Sequence, residues 1–156
     1  MTKITPAKQL ANRYSRVADQ LIGLFEKTDD TIARMATATA LLHHKMPHYF
    51  WTGFYRLIDD QLVVGPYQGP VACAVLPGPD GVCWACVNRK EAILVRDVEA
   101  WPGHVACDAR SKSELVVPVY NSSDSIVGVF DIDSDQLGAF TEVDLKGVQR
   151  IVQLIK

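Results

Sequence analysis

The spacing of apolar residues changes at Pro47, and that change restricts the folds open to this chain. Before it, Leu10, Tyr14, Val17, Leu21 and Leu24 recur every three or four residues and line one face of a helix expected over residues 6–27. Asp29 and Asp30 offer caps for a second helix over residues 31–46, which carries Ile32, Met35, Ala36 and Leu42. Pro47 ends it. Short runs rich in aromatic and branched residues then take over, predicting strands at 49–58, 61–64, 71–76, 92–95, 114–120 and 126–132. Asp59-Asp60 and Asn121-Ser122-Ser123-Asp124 read as hairpin turns. Residues 82–89 read as a short helix, and Thr141 with Asp144 as the capping box of a last one. The order α-α-β-β-β-α-β-β-β-α predicts an α+β fold: a six-stranded, mainly antiparallel sheet flanked by N- and C-terminal helices.

The chain has 156 residues, 48% hydrophobic and 22% charged, so a single globular domain over residues 1–156 is expected, with residues 1–46 packing on the sheet. A net charge of −2 leaves no basic footprint for nucleic acid. No apolar run approaches the ~20 residues of a membrane span. The stretch Met1-Thr2-Lys3-Ile4-Thr5 lacks the apolar core of a secretory leader, so a cytoplasmic setting is expected. There the four cysteines are thiols rather than a disulfide framework.

Those cysteines follow the spacing C-x9-C-x2-C-x20-C, with His104 near the last. Structural zinc sites take close ligand pairs, and only Cys83-Trp84-Ala85-Cys86 is one, so no metal site is expected. The same four residues look like a thioredoxin-type motif, but the βαβ context of that motif is missing. Cys86 falls about one turn into the short helix, where a buried, inert thiol is expected. Cys73, in an apolar run, is expected in the core. Cys107 sits in the polar loop of residues 101–113 beside an imidazole, and on spacing alone filler and function stay open for it. Long loops of this kind are usually functional or disordered.

Acidic residues give the other signal. In a strand, Asp131 and Asp133 project from one face while Phe130 and Ile132 project from the other. Two like charges there mean a solvated edge, a calcium-type site, or a pocket in which one carboxyl keeps its proton. Glu114, near the end of the Cys107 loop, is placed to join them.

From Phe50 onwards the chain resembles the free methionine-R-sulfoxide reductase family, which is built on a GAF domain. The resemblance rests on Trp51-Thr52-Gly53-Phe54-Tyr55, Gly65-Pro66-Tyr67-Gln68-Gly69, Val71-Ala72-Cys73 and Gly81-Val82-Cys83. It continues through Pro102-Gly103-His104-Val105-Ala106-Cys107-Asp108, Ser113-Glu114-Leu115-Val116-Val117-Pro118 and Asp131-Ile132-Asp133. One departure stands out: the family usually has Gly-Thr-Ala after Gly-Val-Cys, where this chain has Trp84-Ala85-Cys86. If that glycine served a positive φ or a close approach of backbone to substrate, Trp84 would strain or reshape the site.

The resemblance implies reduction of free L-methionine-(R)-sulfoxide to methionine. Cys107 is then the nucleophile, since a thiolate suits attack on an electrophilic sulfur. Cys83 and Cys73 are the resolving thiols, their order left open. Glu114, Asp131 and Asp133 supply a proton for the departing oxygen and a partner for the substrate ammonium. Trp51 and Tyr55 wall the substrate methyl group, although a core role for Trp51 stays open. His104 either favours the thiolate or supports the loop. No tightly bound cofactor is implied; thioredoxin, recharged by NADPH through its reductase, restores the thiols. GAF domains often pair through their terminal helices, which leaves a homodimer open. The rival reading is a GAF domain that senses a small molecule without turnover. Such a sensor is normally joined to an output domain and gives no reason for three matched cysteines.

Overall fold

The computed structural model describes residues 4–104 and 106–156. Residues 1–3 of the leader reading, and Val105 of the Pro-Gly-His segment, lie outside the described residues. Two helices open the chain, α1 (Pro6–Phe25) and α2 (Thr31–Lys45), capped by the side chains of Thr5 and Asp30. Strands β1 (Trp51–Ile58) and β2 (Gln61–Gln68) form the first hairpin, with Asp59 and Asp60 both at positive φ in its turn. Then come β3 (Val75–Leu76), α3 (Val82–Arg89), β4 (Ile93–Val95), β5 (Ser113–Tyr120), β6 (Ile126–Ser134) and α4 (Glu142–Val152). The six strands form one sheet in the order β3-β2-β1-β6-β5-β4, and every neighbouring pair is antiparallel. No helix among the described residues is long and apolar enough to cross a membrane.

Strand alternation gives the sheet two different faces. On one, Phe54, Leu115, Val117, Val119, Phe130 and Ile132 pack under α1, α2 and α4 in the larger apolar cluster. On the other, Trp51, Tyr55, Val116 and Val129 meet α3 through Val82, Cys83, Cys86 and Val87. The helices cover the first face fully. Only the short α3 and two loops cover the second, so a cavity remains there.

The expected strand at 71–76 is corrected by the structure: only Val75 and Leu76 form a strand, the Ala74 carbonyl accepts from Val64 N of β2 at 2.9 Å, and residues 71–73 are irregular. Prolines at 70 and 77 bracket the run, and β2 already extends to Gln68, so little of it is left to extend the sheet. Of its side chains, Val71, Ala72 and Leu76 line the cavity, while Ala74 and Val75 are exposed. Cys73 is accordingly half-buried in an irregular segment, not a core residue.

Candidate active site

Register places the carboxylates. Asp133 of β6 lies between Trp51 of β1 and Glu114 of β5, so these three form one row across adjacent strands on one face. In the next row Asp131 lies between Gly53 and Val116. A Cβ at Gly53 would clash with Tyr67 and Trp51, so only glycine lets the aromatic side chains close over this row. The indole of Trp51 stacks between Tyr55 and Tyr67, with ring centroids 5.6 and 5.4 Å away. Its Nε1 donates to the Pro70 carbonyl at 3.1 Å, and Tyr55 Oη donates to the Cys73 carbonyl at 3.2 Å. The aromatic wall therefore also holds the segment that carries Cys73.

These groups line a cavity that opens to solvent. Trp51, Tyr55, Cys83, Cys107, Glu114, Asp131 and Asp133 all face it. Of the residues singled out from sequence, Cys73 does not line the cavity; it is tied to it through its disulfide to Cys107, with their Cα atoms 5.7 Å apart. Cys107 is exposed, whereas Cys83 and Cys86 are buried free thiols. Ser111 and Asp80 also line the cavity, and neither stood out in the sequence. Ser111 lowers the Asp133 carboxyl against its burial, and no residue pattern announces it.

Burial sets the electrostatics. It pushes the Glu114 carboxyl well above its usual range, and the charges of Asp131 and Asp133 push it further. Asp133 is raised well up too, by burial first and then by the charges of Asp131 and Asp108. Asp131 rises to about 6, because hydrogen bonds from Glu114 and Cys83 partly offset its burial. Glu114 and Asp133 are thus the members pushed furthest toward the protonated form. Asp131 Oδ1 still accepts no hydrogen bond, although the residue is 6% exposed. Burial, reinforced by these carboxylates, drives Cys83 well up and Cys86 to about 12. Both remain thiols at neutral pH. His104 is lowered by burial, so it is a neutral imidazole and supplies no cationic partner for a thiolate.

Trp84 does not reach the cavity. It lies inside α3, donates Nε1 to the Leu76 carbonyl at 3.3 Å and packs on Gly78. The positive φ of this turn belongs to Gly81, at 97°, so Trp84 neither strains the backbone nor narrows the site. Cys86 is closed to solvent behind it. A thiol sulfur of Cys83 and one oxygen each of Glu114 and Asp131 lie within 4.8 Å of one another. That set lacks the paired thiolates or imidazoles of a structural zinc site.

Residues 30–156 match the family model of the GAF domain. The chain is 43% identical to free methionine-R-sulfoxide reductase of Escherichia coli, over 78% of this chain and 73% of that one. It is 33% identical to free methionine-R-sulfoxide reductase of Saccharomyces cerevisiae, over 89% and 83%. The free methionine-R-sulfoxide reductase of Neisseria meningitidis, solved in complex with its substrate, superposes with a TM-score of 0.88. That pair is 34% identical and aligned over 93% of this chain and 87% of the other.

Proposed function

We propose, for a chain that belongs to the free methionine-R-sulfoxide reductase family of GAF domain proteins, that it reduces free L-methionine-(R)-sulfoxide to methionine. The observation that carries this reading is one cavity in which a reactive cysteine faces buried carboxyls that hold protons. Such a pairing suits a reaction that needs a sulfur nucleophile and an acid together. The thiolate of Cys107 attacks the sulfoxide sulfur. Glu114 or Asp133, kept protonated by burial, gives its proton to the departing oxygen. Oxygen passes to Cys107, leaving methionine and a sulfenic acid. The Cys73 thiol then displaces that oxygen as water and forms the Cys73–Cys107 disulfide. The existing bond between these two sulfurs favours Cys73 over Cys83 as the first resolving thiol. Raised far up by burial, Cys83 is a poor competitor.

The substrate ammonium fits the acidic row. Asp131 Oδ1, buried without a donor, is the acceptor such a cation would satisfy, and a mid-chain methionine has no ammonium to offer. The stacked indole of Trp51 packs on the S-methyl group. No step calls for a resident cofactor; thioredoxin, recharged by NADPH through its reductase, returns two electrons in a reducing cytoplasm.

The test is NADPH oxidation coupled through thioredoxin and its reductase, with three substrates supplied separately. Turnover of the free R-sulfoxide, with none of the S epimer or of the N-acetylated R-sulfoxide, is the expected result. Turnover of the N-acetylated form would remove the ammonium contact. No turnover of any of the three, with thiols shown to be reduced, would return the chain to a ligand-holding GAF domain.

A further inference from the structure

Two stretches meet at the Cys73–Cys107 disulfide, residues 69–79 and residues 101–107. Neither contains an aspartate, glutamate, lysine or arginine, in a chain that is 22% charged; the charges begin at its edge, with Asp80 against Gly103 and Asp108 after Cys107. His104, the one titratable imidazole among them, is held neutral by burial. Yet much of this surface faces water: Val71 is 85% exposed and Val75 43%, and Ala74, Pro79, Ala106 and Cys107 are exposed as well. Connecting loops on a solvated surface are normally polar, and a contiguous uncharged apolar patch marks a place where another molecule sits. At the centre of this one is a disulfide.

Resting on the reductase reading, we propose that this face docks a dithiol oxidoreductase that presents its thiols on an apolar, uncharged surface, and that its thiolate enters at Cys107. Cys107 is the exposed sulfur of the pair, while Cys73 is half-buried and its carbonyl is held by Tyr55 Oη at 3.2 Å. Cys83 and Cys86, 5% and 0% exposed, lie out of a protein partner's reach. The attacking thiolate bonds to Cys107 Sγ, the Cys73–Cys107 bond breaks, and Cys73 leaves as a thiolate that takes a proton from water. The partner's second thiol gives up its proton and attacks the mixed disulfide. That frees Cys107 as a thiolate and leaves the partner oxidised by two electrons.

Val75→Lys and Ala74→Glu place a charge in the patch without touching the cavity lining. With thioredoxin as reductant, each raises the KM for thioredoxin about tenfold or more, equivalent to ~1.4 kcal/mol of docking. With dithiothreitol, which needs no docking face, turnover stays within about twofold of the unsubstituted chain. Equal losses with both reductants, or none with either, overturn the proposal. Separately, a thioredoxin with one active-site cysteine replaced is incubated with the oxidised protein and the mixed disulfide mapped by mass spectrometry. The link is expected at Cys107; a link at Cys73, or none, overturns the point of entry. Trapping needs no sulfoxide, so it decides docking even where absence of dithiothreitol-driven turnover has removed the reductase reading.

Discussion

Four sulfurs in one chain are graded by depth. Cys107 is exposed, Cys73 half-buried, Cys83 5% exposed and Cys86 fully closed to solvent. A thiol reacts as its thiolate, so burial that lifts Cys86 to about 12 makes it inert while Cys107 stays open to substrate. Cys107→Ser is expected to reduce turnover to the uncatalysed background. Cys73→Ser should still yield one methionine per chain in a single-turnover assay, while steady-state turnover falls by at least about an order of magnitude. Cys86→Ser should leave most of the activity. Loss from Cys86→Ser equal to that from Cys107→Ser would mean that the Cys83-x-x-Cys86 pair has been misassigned. The cysteine pattern in the sequence left Cys107 open between filler and function, and it placed Cys73 in the core, where the structure does not. An apolar run between two prolines looks like a strand, and nothing local tells it from a cavity wall.

At the scale of elements, the site and the stabilising seam lie on opposite faces of the sheet. The seam joins α1 to α4 through buried polar groups. Tyr14 Oη donates to Asp144 Oδ1 at 2.7 Å and accepts from Tyr49 Oη at 2.6 Å, and His48 Nε2 lies 2.7 Å from the same Asp144 oxygen. Burial would raise the Asp144 carboxyl, but the hydrogen bonds from His48 and Tyr14 outweigh it and the group titrates below its usual value. Where α1 crosses α4, Gly147 leaves room for the Tyr14 ring. Asp144→Ala strands Tyr14 and His48 in the interior at a cost of roughly 3–5 kcal/mol. At roughly 2–4 °C per kcal/mol, the melting temperature should drop by about 10 °C, measured by calorimetry. Below the unfolding range, turnover per folded chain should hold, because the seam does not touch the cavity. A large kcat loss with an unchanged melting temperature would sink this separation. In the sequence, Asp144 was legible only as a helix cap. Its partner His48 lies 96 residues away, and no local pattern reports such a contact. The period-2 placing of Asp131 and Asp133 was legible, but the register that sets Glu114 against Asp133 was not, since pairing is decided by strands that meet only in the fold.

Across the whole molecule, three carboxyls held out of water make the folded state bind protons that the unfolded chain releases. Glu114 faces Asp131 and Asp133 from β6, Cys83 and Cys86 from α3 and Tyr55 from β1, and none of these is a cation. Asp108, the next acid along the cavity wall, is already paired with Arg110 at 2.7 Å. Above the ordinary carboxyl values of 4.5 and 3.8, the unfolded chain has lost these protons while the folded chain retains them. With more protons on the folded side, stability must fall as pH rises. The contribution is complete below about pH 4 and declines as Asp131 ionises near 6, and Glu114 and Asp133, shifted in the same direction, add to the decline. Glu114→Gln keeps the shape and a donor toward Asp131 but has no proton to lose. It should therefore melt higher than the unsubstituted chain at pH 7, by roughly 2–4 °C per kcal/mol relieved, with the gap closing near pH 4. Its catalytic activity should collapse over the same range. Free methionine, whose ammonium answers the acidic row, should raise the melting temperature of the unsubstituted chain more at pH 8 than at pH 5. A melting temperature that climbs with pH between 5 and 8, or a Glu114→Gln variant less stable at pH 7, would show the row to be solvated and its carboxyls ordinary. If instead stability falls with pH as the buried row requires, the cost of the row is borne by the helical seam on the other face, and the cavity is free to be built for an acid and an ammonium.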